Sequence, residues 1–122
     1  HEFQVMLEKD CLDVYQPDAT LAGGVTVSRR VAELARSQGR SFSPHTWTNG
    51  IGFAVNLQIA ASVPDCPLIE FPYEPDSWSP RVRDAMLTEP FAAVDGYLAV
   101  PDRPGLGVEL SDESMQKYAK RI

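Results

Sequence analysis

Apolar and polar positions come in a regular alternation of short runs and longer periodic stretches. Leu12-Asp13-Val14-Tyr15 is a brief strand candidate that ends at Gln16-Pro17-Asp18. A helix is predicted from Val25 to Gln38, where Val27, Val31 and Leu34 fall at i, i+4 and i+7 on one stripe and Gly39 supplies a stop. A second short strand, Arg40 to Ser43, leads into Pro44-His45-Thr46. Ile51 to Ser62 is apolar almost all round, which predicts a buried helix rather than a surface one. Pro67-Leu68-Ile69 forms the third strand candidate and runs into Glu70-Phe71-Pro72. Ser79 to Leu87 reads as a short polar helix with Pro80 in its first turn.

The last third changes character. Phe91-Ala92-Ala93-Val94 and Tyr97-Leu98-Ala99-Val100 flank Asp95-Gly96, a two-residue hairpin pattern. Pro101 to Gly107 is a turn-rich loop, and Ser111 to Arg121 is a closing helix with Ser111 near its N-cap. No internal repeat occurs. Strand, helix, strand, helix, strand implies an α/β fold of parallel strands joined by right-handed crossovers. Pattern alone leaves two forms open, a piece of a parallel barrel or a small open sheet.

Composition narrows the classes. With 122 residues, 43% hydrophobic and 23% charged, the chain has enough apolar material for one domain with a core. A net charge of −6 disfavours nucleic acid, and Arg29-Arg30 and Lys120-Arg121 are too short to make a basic patch. The two cysteines, Cys11 and Cys66, lack metal-type spacing, lie beside apolar runs as small buried residues do, and read as reduced. The longest near-apolar stretch, Gly50 to Val63, falls short of the roughly 20 residues that span a bilayer. No secretory pattern opens the sequence, so a soluble cytoplasmic protein is expected.

Position then singles out three residues. Asp18, His45 and Glu70 each follow the apolar part of a strand candidate, so parallel strands would bring them to one end of the sheet. Each has a plainer reading: an aspartate after proline as a turn residue, a histidine satisfying loop carbonyls, a glutamate in an apolar run that must find a partner. An aspartate bonded to one imidazole nitrogen fixes the tautomer and leaves the other nitrogen to move a proton. A third carboxyl group, kept protonated by its surroundings, would donate to an anionic intermediate. That set suits abstraction of a proton beside a carboxylate. Gly23-Gly24 before a helix is a weak phosphate-binding pattern and reads better as helix packing.

The segment Pro17-Asp18-Ala19-Thr20-Leu21-Ala22-Gly23-Gly24-Val25-Thr26 resembles the sixth-strand region of the mandelate racemase and muconate lactonizing group of the enolase superfamily. Ser43-Pro44-His45-Thr46 resembles its seventh-strand region and Leu68-Ile69-Glu70-Phe71-Pro72 its eighth. Asp95-Gly96-Tyr97 followed by Val100-Pro101-Asp102-Arg103-Pro104-Gly105-Leu106-Gly107 resembles its C-terminal tail. The resemblance implies the last part of a TIM-type (β/α) barrel. Residues 1–87 would carry strands six to eight with their helices, and 88–122 a hairpin, loop and closing helix that pack on the family's capping domain. It implies a magnesium-dependent enzyme that removes the proton α to a carboxylate, with His45 as acid/base, Asp18 as its partner and Glu70 near the substrate carboxylate.

Pro-His-Thr-Trp and Glu70-Phe71-Pro72-Tyr73 look most like members acting on acid sugars, with dehydration ahead of racemisation or cycloisomerisation. The family's capping domain, its lysine acid/base motif and its metal carboxylates all belong upstream of these segments. His1, Glu2 and Glu8 do not replace them by motif. The magnesium ligands are therefore expected outside this chain, which alone would be inactive. The alternative is a remnant without catalysis that serves as a binding module. In either case open strand edges are expected to make the chain self-associate or join the rest of the barrel.

Overall fold

The structure is a computed structural model and describes residues 1–66, 68–75, 77–118 and 120. Helix α1 (Glu2–Glu8) precedes strand β1 (Val14–Tyr15), helix α2 (Gly24–Ser37), strand β2 (Ser41–Phe42) and helix α3 (Gly50–Ser62). Helix α4 (Pro80–Arg83), the hairpin β3 (Ala93–Val94) and β4 (Tyr97–Leu98), and helix α5 (Asp112–Tyr118) follow. The first helix has no counterpart in the sequence pattern. Its contribution to the core is Leu7, with Phe3 packed beside it, against Tyr15, Val31 and Ala35.

Strands β1 and β2 pair in parallel, Val14 opposite Ser41 and Tyr15 opposite Phe42. The ladder runs beyond the strands proper: the amides of Ser41, Ser43 and His45 donate to the carbonyls of Asp13, Tyr15 and Pro17 at 3.0, 3.2 and 3.3 Å. This two-residue rhythm of bonds carries the register to the C-terminal rim, where Asp18 and His45 leave the sheet. The expected third strand does not form a ladder. Pro67 lies outside the described residues, and Leu68 and Ile69 are extended chain without strand pairing. Prolines at 67 and 72 remove two backbone donors from this short segment. Its carbonyls are instead caught by side chains of the preceding crossover, as Ser43 Oγ donates to Leu68 O at 2.9 Å.

The buried face of α2 is Ser28, Val31, Ala32 and Ala35, whereas Val27 is exposed. The apolar stripe read from Val27, Val31 and Leu34 is therefore rotated. Small residues at 28, 32 and 35 let α2 lie close on the strands and α3. Gly23 and Gly24, both with positive φ (95° and 91°), make the turn into α2. Helix α3 is buried along most of its length, as its all-round apolarity requires, and Asn49 caps it by accepting from the amides of Ile51 and Gly52. Phe53, Ala54 and Leu57 of α3 gather Leu87 and Phe91, with Ile69, Phe71, Leu98, Leu106 and Val108 packed around them.

The polar helix expected over 79–87 stops at Arg83. Asp84 turns inward, and its carboxylate takes the Phe91 amide at 2.8 Å instead of facing water. The hairpin forms as the Asp-Gly pair demands, both turn residues having positive φ (50° and 82°). The 101–107 loop is tied to α3 by Gln58 Nε2, which donates to Pro101 O at 2.7 Å and Leu106 O at 3.3 Å. Ser111 Oγ accepts from the Ser114 amide at 3.3 Å and caps α5, described over Asp112–Tyr118; Ala119, Arg121 and Ile122 lie outside the described residues. Cys11 and Cys66 are free thiols, but Cys11 is exposed rather than buried. Burial pushes the Cys66 thiol above its ordinary range, against an opposing contact to Leu68 O. Among the described residues, no helix is long and apolar enough to cross a membrane.

Candidate active site

Asp18 follows β1, His45 follows β2, and Glu70 sits in the extended segment that side chains of the β2 end hold in place. Thr46, fully buried, provides the key links. Its hydroxyl donates to Glu70 O at 2.8 Å and its amide to Glu70 Oε2 at 2.9 Å. The same carboxylate oxygen stands 2.9 Å from His45 Nδ1. Glu70 Oε1 receives a longer contact from Gln16 Nε2 at 3.5 Å. Both oxygens of Glu70 thus face donors, the arrangement of a carboxylate acting as acceptor rather than of a protonated acid giving a bond away.

The imidazole was expected to meet Asp18. Glu70 takes that place, and among the described residues no hydrogen bond joins Asp18 to His45. Asp18 Oδ1 is already committed. It accepts from the Thr20 amide and hydroxyl at 2.8 Å each and from Asn56 Nδ2 at 2.9 Å. The bond to the Thr20 amide is the turn bond of an aspartate two residues upstream. The bond from Asn56 is something more. Burial alone would push the Asp18 carboxyl up; the Asn56 and Thr20 donors, with the charge of nearby His45, outweigh it and hold the group below the ordinary carboxylate range.

Asn56 is fully buried on α3. It also donates to Gly52 O at 3.2 Å and accepts from the Ala19 amide at 3.0 Å, so its amide group has partners on both sides. The hydropathy pattern of the chain does not single out Asn56 as a site residue. A polar residue at a buried position of the most apolar helix was itself the signal, because a buried amide must be satisfied and its partners mark a polar site.

Linkage gives Asp18 a checkable consequence. A carboxyl whose folded pKa is depressed stabilises the fold above its unfolded pKa, near 4, and loses that contribution as pH falls through the folded value. Asp18→Asn should therefore be less stable than the parent at pH 7, with the gap closing progressively below about pH 4. Urea unfolding at a series of pH values measures this, and a gap that stays constant down to pH 2 would contradict it.

Residues 1–114 match the enolase C-terminal domain-like family. The chain belongs to that family. It is 34% identical to the D-galactarolactone cycloisomerase of Agrobacterium fabrum (strain C58) over 116 residues, 92% of this chain and 31% of that protein. It is 31% identical to the arabinonate dehydratase of Saccharolobus solfataricus over 117 residues, 96% of this chain and 30% of that protein. A Burkholderia xenovorans strain LB400 protein, solved with magnesium and fumarate bound, superposes with a TM-score of 0.80 at 26% identity, covering 99% of this chain and 29% of that one. This enolase-type chain thus spans about 30% of the length of the curated relatives it matches.

Magnesium, which the family implies, can be tested against the donors present. Among the described residues, no group of three or more His, Cys, Asp or Glu side chains is placed to hold a metal ion. Asp18 Oδ1 and Glu70 Oε2 are both taken by protein donors. The three candidate residues do not fit as a metal ligand set.

Proposed function

We propose that this chain supplies the acid/base histidine and its carboxylates to an enzyme that removes the proton α to the carboxylate of an acid sugar. The observation that carries the reading is the meeting of His45 Nδ1 with Glu70 Oε2 at 2.9 Å beside a buried, low-pKa Asp18. An Nδ1–H held on Glu70 fixes the tautomer and leaves Nε2 with a free lone pair. The His45 side chain is 42% exposed, so Nε2 remains open to a substrate. In the forward step Nε2 takes the α-proton, and the electron pair of the broken C–H bond moves into the substrate carboxylate group. In a dehydration the β-hydroxyl then leaves as water, with His45 returning a proton to it.

Dehydration is the first choice of reaction and cycloisomerisation the second, in keeping with the names of the two curated relatives. Racemisation is the third. Magnesium enters this proposal only through the complete enzyme. The open edges of the β1–β2 pair are assigned to the remainder of the barrel or to a second copy of this chain, either of which could continue a parallel sheet.

The test is isotope exchange by the complete enzyme in deuterium oxide against a panel of aldonates, aldarates and their lactones. Deuterium should enter at the α-carbon of at least one substrate, with or without loss of water, read by proton NMR. Neither exchange nor product across the panel would overturn the reading.

A further inference from the structure

Arg83 has no part in the site just described, yet its side chain makes four hydrogen bonds and lies against two aromatic rings. Its guanidinium and the Asp84 carboxylate form a two-point pair, Nε to Oδ1 and one terminal nitrogen to Oδ2, each at 2.7 Å. Both side chains are fully buried. The guanidinium carbon lies 4.6 Å from the centre of the Phe53 ring and 4.3 Å from that of Phe71, and the remaining donors reach Pro72 O at 3.1 Å and Phe91 O at 3.3 Å. An ion pair sealed from water is a weak source of stability, because removing two charges from water costs about as much as their attraction returns. What such a pair supplies here is geometry.

The geometry it fixes is that of the segment carrying Glu70. Among the described residues, 68–72 have no backbone ladder to β2, and side-chain contacts hold them in place. Upstream, Ser43 holds Leu68 O and Thr46 holds Glu70 O. Downstream, the Arg83 guanidinium both binds Pro72 O and stacks on Phe71, the two residues immediately after Glu70. We propose that Arg83 is a positioning residue that sets where the Glu70 carboxylate stands against Thr46 and His45. The inference rests on the reading of Glu70 as part of the acid/base site. Arginine suits the task because one planar group serves a carboxylate, two carbonyls and two ring faces at once; lysine would offer a point charge without the fork.

The experiment reads the Thr46 amide, which donates to Glu70 Oε2, by two-dimensional proton–nitrogen NMR of the full chain. Glu70→Ala defines the resonance position with the acceptor removed. Arg83→Lys should move the Thr46 amide at least half of the way to that position, while the Val31 and Ala35 amides of α2 stay within their parental positions. The double substitution Arg83→Met with Asp84→Leu removes both buried charges together and keeps the space filled, so the fold survives where a single loss would leave an unpaired charge. It should produce the same displacement. A Thr46 amide at its parental position in the folded double variant would overturn the proposal, since a purely structural pair would not touch that bond.

In the complete enzyme the Arg83→Lys change should lower kcat about 10- to 100-fold with KM within about twofold, as a misplaced catalytic group does. The two readings fail separately. Full turnover by Glu70→Ala would remove Glu70 from the site without moving the Thr46 resonance in the Arg83 variants, whereas an unmoved resonance would discard Arg83 and leave Glu70 in place.

Discussion

His45→Asn should reduce turnover by the complete enzyme about 100- to 10,000-fold, the range that general acid/base catalysis contributes. Asparagine occupies similar space at the position of Nδ1 and keeps a donor for Glu70, but it has no group that takes and returns a proton near neutral pH. Stability should change little. The pair that is lost is partly exposed, with side-chain exposures of 42% and 32%, and such pairs are worth about 0–1 kcal/mol. The Thr46 bonds that hold Glu70 come from a neighbouring residue and survive the change. The combination is diagnostic: α-proton exchange collapses while the unfolding midpoint stays within a few degrees. Retained exchange in the variant would remove His45 from the acid/base role.

Phe53→Ala should cost about 3–5 kcal/mol of stability, as truncation of a buried aromatic does. Phe53 is fully buried at the centre of the larger apolar cluster. Its ring makes edge-on contacts with Phe91 at 4.9 Å and Phe71 at 5.8 Å between centroids, and it forms one face of the slot that holds Arg83. Alanine would leave a cavity between α3, the 68–72 segment and the loop carrying Phe91, and would uncover a buried guanidinium. Because Phe53 sits at the centre of that cluster and walls the Arg83 slot, collapse around the cavity should be poor and the loss should fall at the upper end. Denaturant unfolding measures it. A loss below about 1 kcal/mol would mean that the cluster repacks around a smaller residue and that the Arg83 slot does not depend on the ring.

Legibility followed the range of the forces involved. Helices α2 and α3, the Asp-Gly hairpin and the Ser111 cap are set by neighbours within a few residues, and their pattern was plain along the chain. The strand ends that deliver Asp18 and His45 were equally visible, since apolar runs closed by proline mark where each strand stops. Other features were not, helix α1 among them. The buried face of α2 depends on which residues are small enough for close approach, so the helix stripe was misplaced by a fraction of a turn. The short helix before Asp84 was drawn too long because an inward-facing Arg-Asp pair has the same letters as a solvated one. Pro67-Leu68-Ile69 was read as a strand, although Leu68 and Glu70 are held by side chains of Ser43 and Thr46 rather than by a ladder.

The chain by itself determined the family, the order of most of its elements, and the strand-end placement of Asp18 and His45. Those follow from local patterning and from spacing along the chain. Only the tertiary structure decided which carboxylate meets the imidazole. Asp18 and Glu70 stand equally well at strand ends on paper. Asp18 is drawn toward α3 because a buried Asn56 and the Thr20 turn saturate its oxygen, and Glu70 is drawn toward His45 because Thr46 holds both its backbone and its carboxylate. Hydrogen-bond capacity is finite, and where it is spent depends on contacts between residues distant in sequence.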